Sequence, residues 1–307
     1  MVGLAGGVGA ARFLEGVVQV IDQSELTVVV NTGDDEEFFG LHVSPDIDII
    51  LYTLSGIVDA EKGWGISGDT YNCLQSLGGF GAETWFRLGD RDFAAQIYRT
   101  WKLAEGFRLS EVTEQMARRL GVRCRVLPMT NDRVKTHIET PSGLLPFQRY
   151  LVERGASDEV LGVRYVGADN AKPIEDVIKA ISEAEGIFVC PSNPIVSIGA
   201  ILAVPGIRRA LTKTRARVVG VSPIVGGGTI KGPADKMMRG LGLDVSPVSV
   251  AKSYRDFLDV FVIDRVDAHL ESAIASMGIE THVADTIMKT LDDKRRLAEL
   301  CLSLIRG

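Results

Sequence analysis

Gly6-Gly7-Val8-Gly9-Ala10-Ala11-Arg12 joins a short apolar run to Phe13, Leu14, Val17, Val18 and Ile21, whose spacing marks one face of a helix. Leu26–Asn31 (LTVVVN) follows, β-branched and almost continuously apolar. A strand reads that way when both of its faces are covered, as in a parallel sheet. Strand, glycine turn, helix and strand together make the opening unit of a doubly wound α/β fold.

The same signature returns at Gly186–Cys190 (GIFVC), Arg217–Val221 (RVVGV) and Asp259–Ile263 (DVFVI). Helical faces lie around these strands. Ile47, Ile50, Leu51, Leu54 and Val58 follow Ser44-Pro45, which predicts a cap and a first-turn proline. Val177, Ile178 and Ile181 mark a third face, and Leu297, Leu300, Cys301 and Leu304 a fourth. The middle reads differently: helices are expected from Asp92 to Leu120, then an antiparallel β insertion from Arg123 to Val166, with RCRVLPM, VKTHIET, LLPFQRYLVE and VLGVRYVG broken by turn residues. The expectation is a Rossmann-like, mostly parallel sheet formed by residues 1–90 and 167–307, with a mixed α+β insertion at 91–166.

Composition narrows the function. A chain of 307 residues with 46% apolar and 24% charged residues can bury a sizeable core, so disorder is excluded. The net charge of −6 and the lack of a long basic run argue against a nucleic-acid groove or an anionic membrane as partner. No apolar stretch is long enough to span a bilayer, and the first strand begins at Met1, so a cytoplasmic protein is expected. Cys73, Cys124, Cys190 and Cys301 form no CxxC pair and read as reduced, mostly buried thiols. His42, His137, His269 and His282 are scattered, and neither GxSxG nor HExxH occurs, so a nucleophilic triad and a zinc site are not supported.

Six turns are candidates for chemistry. In the glycine turn, small residues let backbone amides approach a phosphate, and the following helix adds a positive dipole end; the plainer alternative is a tight βα turn. Asn31-Thr32-Gly33-Asp34-Asp35 closes the second strand, where ligands of open α/β sheets bind, and adjacent carboxylates there suit Mg²⁺ beside phosphates; a solvated turn is the alternative. Asp46 and Asp48 open the next helix about 100° to either side of its apolar stripe, so they cannot both face one ligand, and at least one is structural. Trp85–Asp92 (WFRLGDRD) reads as a strand ending in a charge cluster, whose charges either pair across the surface or grip a polar ligand. Cys190-Pro191-Ser192-Asn193-Pro194 offers donors and acceptors for a nucleobase, or simply ends a strand. Val221–Gly228 with Lys231 reads as a lid, a second phosphate cradle or a flexible loop.

Taken in order, GGVGAARFLEG, VVVNTGDD, SPDIDIILYTLSG, GWGISGDTYN, WFRLGDRD, LPMTND, PSNPIVSIGAIL and VSPIVGG resemble the 2-phospho-L-lactate transferase family (CofD) along essentially the whole chain. That resemblance implies an Mg²⁺-dependent transferase of coenzyme F-420 biosynthesis. Such an enzyme moves lactyl phosphate from a guanosine diphosphate-activated donor (LPPG) to the ribityl hydroxyl of the deazaflavin Fo and releases GMP. It places Gly6, Gly7, Gly9, Arg12, Ser192 and Asn193 at the guanosine diphosphate part, and Asp48, Arg87, Asp90 and Arg91 at Fo. Asp34, Asp46 and Asp48 are the metal candidates, and Asp48 is expected to take the hydroxyl proton. Ser44 stands where the family more often has cysteine.

Two alternatives follow from the same residues. Some relatives use a phosphoenolpyruvyl donor. A related family of gluconeogenesis factors shares the glycine loop and binds nucleotide sugars without catalysis; WFRLGDRD and the middle insertion argue against it. A homodimer is the default expectation for such an enzyme.

Overall fold

The computed structural model describes all residues, Met1–Gly307. Its main sheet has seven strands, numbered here in chain order: β1 (Val2–Ala5), β2 (Thr27–Val30), β3 (Arg125–Pro128), β4 (Gly186–Val189), β5 (Arg217–Val221), β6 (Val260–Asp264) and β7 (Glu280–Ala284). They lie in the order β3-β2-β1-β4-β5-β6-β7, and every pairing is parallel. The chain therefore winds outward from β1 in one direction, then returns and winds outward in the other. The switch point lies between β1 and β4, and the loops beyond their carboxyl ends diverge there.

The helices are α1 (Gly7–Val17), α2 (Pro45–Leu54), α3 (Asn72–Gly79), α4 (Asp90–Ala104), α5 (Leu109–Arg119), α6 (Glu175–Glu183), α7 (Ile198–Ala203), α8 (Ile207–Lys213), α9 (Ala234–Gly240), α10 (Pro247–Tyr254), α11 (Glu271–Ala275) and α12 (Leu291–Arg306). Alternate residues of each strand feed two cores. Val28, Val30 and Phe188 join Phe13, Leu14, Ile50, Val112 and Leu297 on one face of the sheet. Val29, Ile187 and Val189 join Ile181, Ile198, Ile207 and Val250 on the other. Each of these side chains contributes roughly 1.5–3 kcal/mol on burial, which is why the strands carry no polar alternation.

The middle of the chain departs from expectation. Arg125–Pro128 is not part of an antiparallel insertion but the edge strand of the main sheet, parallel to β2. Val126 and Leu127 enter opposite cores, as a doubly covered strand requires. Nor is α5 part of an insertion: Leu109, Val112, Met116 and Ala117 complete the first core. The antiparallel element is confined to Lys135–Thr140, flanked by Gly143–Pro146 and Gly162–Val166, and Arg149–Glu153 is a π-helical turn. Trp85–Leu88, read as a strand, is irregular chain leading into α4. Glu280–Ala284 was not anticipated as a strand; it is the polar outer edge, half-exposed along most of its length. No helix is long and apolar enough to cross a membrane.

Candidate active site

A cavity of about 710 Å³ opens at the switch point, a size suited to a nucleotide or drug-sized ligand. The turn after β1 forms one wall through Gly6, Gly7, Gly9 and Arg12, and the turn after β4 forms the next through Ser192 and Asn193. The two turns are in direct contact, with Gly6 N donating to Ser192 Oγ at 3.3 Å. A Cβ on Gly9 would lie 2.1 Å from the Pro191 carbonyl oxygen, so glycine is required there by the packing of one turn on the other. Asn193 folds its own loop, its Oδ1 accepting from Ile195 N (2.9 Å) and Val196 N (3.2 Å).

Asp34 and Asp46 are the only acidic residues on the cavity wall. Asn31, fully buried at the end of β2, arranges them: its Nδ2 donates to Asp46 Oδ2 at 2.9 Å and its Oδ1 accepts from Gly33 N at 2.8 Å. Burial raises the Asp46 pKa to about 7, opposed in part by the Asn31 hydrogen bond. Burial and the neighbouring Asp46 push Asp34 well above the ordinary carboxylate range, and Asp34 Oδ1 has no hydrogen-bond partner. A buried carboxylate pair with an unsatisfied oxygen fits a hard divalent cation. No three His, Cys, Asp or Glu side chains converge anywhere in the chain, but Mg²⁺ commonly takes one or two carboxylates and completes its shell with water and substrate phosphate.

Asp48 lies elsewhere. It does not line the cavity, and the geometry does not support the expected base or metal role. Its Oδ1 pairs closely with Arg99 Nη2, while its Oδ2 accepts from Arg99 Nη1 at 3.3 Å and from Gln96 Nε2 at 2.8 Å. Arg99 is fully buried, so this fork ties α2 to α4 through a desolvated ion pair. Ser44 does not cap α2 through its side chain; its Oγ donates to Asp35 Oδ2 at 2.7 Å.

The far wall is aromatic, with Trp64, Trp85, Phe86 and Phe147. Phe86 stacks on Phe38 at 4.1 Å between ring centroids, which fixes the irregular Trp85–Leu88 segment. Arg87 also lines the cavity and lies over the Tyr71 ring at 4.6 Å. Asp90 and Arg91, expected at the same ligand, do not line it. Asp90 accepts from Cys73 N (2.9 Å), Asn72 N (3.2 Å) and Thr70 Oγ1 (2.5 Å), which hold its pKa down to about 2. Arg91 donates from its backbone to Asp69 and from Nη1 to the Ser67 carbonyl. Both residues anchor the 67–73 loop. Trp64 and Phe147 line the cavity without having been assigned to a candidate turn, whereas Ser197 and Ser222 lie in or beside the turns after β4 and β5 that the sequence marked.

A doubly wound α/β protein with glycine and Ser-Asn turns meeting in a cavity at its switch point carries that cavity where open α/β sheets bind their ligands. The particular family is settled by sequence: residues 1–298 match the family profile described as 2-phospho-L-lactate transferase CofD, and the chain belongs to that family of transferases. It is 41% identical over 311 residues to a phosphoenolpyruvate transferase of Kitasatospora aureofaciens, covering 99% of this chain and 97% of the relative. A 2-phospho-L-lactate transferase of Methanocaldococcus jannaschii is 41% identical over 309 residues, covering 98% of each. A solved UPF0052-family protein from Bacillus halodurans shares the fold at TM-score 0.67 and 16% identity, over 98% of this chain and 97% of its own.

Proposed function

We propose that the chain transfers lactyl phosphate from LPPG to the ribityl hydroxyl of Fo, releasing GMP in an Mg²⁺-dependent reaction. The observation that carries this reading is a single cavity combining phosphate-type turns, a buried carboxylate pair and an aromatic wall. The diphosphate fits the glycine turn and Arg12, the guanosine fits Ser192 and Asn193, and the flat deazaflavin fits the aromatic side beside Arg87. Asp34 and Asp46 would hold Mg²⁺, which when bound supplies charge neutralisation to the transferring phosphoryl group.

Phosphoryl transfer depends chiefly on in-line positioning and stabilisation of the equatorial oxygens. The new bond joins the ribityl oxygen to the phosphorus carrying the lactyl group, and the bond to GMP breaks. The hydroxyl proton passes to an Asp34 or Asp46 oxygen left free of the metal, because no other carboxylate faces the cavity. GMP leaves with the electron pair of the broken bond.

Mass spectrometry of Fo incubated with the protein, Mg²⁺ and either the lactyl or the phosphoenolpyruvyl donor tests the reading and identifies the transferred acid. Product with neither donor, together with binding of a uridine diphosphate sugar, would point instead to a sensor of the gluconeogenesis-factor type.

A further inference from the structure

Two loops distant in sequence meet above the glycine turn. Lys231, which follows the short hairpin of Ile224–Val225 and Gly228–Thr229, donates from Nζ to the Lys62 carbonyl oxygen at 2.6 Å. Arg12 reaches the same place from α1. A Cβ built on Gly63 would lie 3.4 Å from Lys231 Nζ and 3.7 Å from Arg12 Nη2, so both cations flank one point on the rim. Both also line the cavity. Neither has a carboxylate within ion-pair distance, whereas most other cations that approach an acid in this chain are paired on the outer surface. The acids of the cavity are Asp34 and Asp46, which Asn31 ties to the end of β2.

Two neighbouring cations without a counterion repel each other, and an anion between them relieves both. Burial and the Arg12 guanidinium accordingly lower the Lys231 pKa. The peptide carbonyl that receives Lys231 offers only a partial charge, so an incoming phosphate oxygen is a stronger acceptor for the same ammonium.

We propose that Arg12 and Lys231 form a two-cation clamp for the diphosphate of the nucleotide donor, with Lys231 a strap that the Lys62 carbonyl holds across the rim until the anion takes it. The clamp rests on the nucleotide-diphosphate reading above and adds a binding residue to it. It also gives a role to the hairpin after β5, which brings to the cavity a second positive charge beside Arg12.

Amine acetylation of the intact protein followed by peptide mass spectrometry tests the clamp, with GDP, inorganic pyrophosphate, or sodium chloride at matched ionic strength. GDP and pyrophosphate should protect Lys231 while leaving the ion-paired Lys102 unchanged, and sodium chloride should protect neither. By calorimetry, Lys231→Met should weaken GDP binding about tenfold, the scale of one charge-assisted hydrogen bond, with little change for GMP, and Lys231→Arg should restore it. If GDP raises the thermal midpoint but Lys231 is acetylated at an unchanged rate and Lys231→Met binds GDP normally, the clamp is overturned and the transferase reading stands. Equal protection by sodium chloride would reduce the contact to general surface charge and overturn it as well. If neither GDP nor pyrophosphate binds the wild-type protein, the nucleotide reading fails and takes the clamp with it.

Discussion

Replacing Asp46 with asparagine should stabilise the metal-free protein above neutral pH. The Asp46 carboxyl titrates at about 7 in the folded chain against an ordinary value of 3.8, chiefly because it is buried. The folded protein therefore binds more protons than the unfolded chain between those values. Stability falls as pH rises through that window, and the loss is complete above about pH 7. A rise of about three pKa units corresponds to about 4 kcal/mol. That is a ceiling, since Asp34 relaxes when its neighbour loses charge. Asparagine keeps an acceptor for Asn31 Nδ2 and abolishes the titration. A gain of about 1–3 kcal/mol is expected at pH 8, or several degrees in thermal midpoint for a chain of this size, shrinking to nothing near pH 4. Thermal unfolding in EDTA from pH 4 to 8.5 reads this directly. Added Mg²⁺ should raise the wild-type midpoint at pH 8 and leave that of the variant nearly unchanged. A variant equally destabilised at every pH would show that Asp46 is an ionised structural acceptor, and the carboxylate-pair account would be wrong.

Further substitutions probe the other walls. Gly9→Ala forces a Cβ to within 2.1 Å of the Pro191 carbonyl, so a loss of about 1–3 kcal/mol in stability should accompany weakened GDP binding. Retention of both would mean that the two turns are not mutually locked. Arg99→Met strands a buried Asp48 charge and should cost roughly 3–5 kcal/mol; adding Asp48→Asn should recover part of it in chemical denaturation. Arg87→Ala should raise the KM for Fo while leaving GDP affinity within about twofold, as for sites without shared contacts. A fall in GDP affinity instead would place Arg87 on the nucleotide side.

The alternation of buried strand and helix was plain in the residues because parallel strands covered on both faces must be apolar throughout. LTVVVN and GIFVC could hardly be anything else. RCRVLPM was misassigned for the same physical reason in reverse. Only Val126 and Leu127 lie between its charged start and Pro128, too few to tell continuous burial from one-sided alternation. The opposed directions of Asp46 and Asp48 were also legible, because two positions on a helix differ by about 200° in azimuth. Which of them met the cavity was not. That choice was made by Arg99, fifty-one residues further along the chain, whose long side chain gave no local sign that it would be buried.

Sequence alone determined the layer architecture, the strand ends where a ligand would be met, and the family that the ordered turns resemble. These are properties of local pattern, since apolar periodicity and turn chemistry act over a few residues. Tertiary structure alone decided which charges remain free. Asp48, Asp90 and Arg91 are consumed by partners, while Asp34, Asp46 and Arg12 are left facing the cavity. The fate of a charge depends on what the rest of the fold brings within hydrogen-bond reach, and distance along the chain carries no record of that.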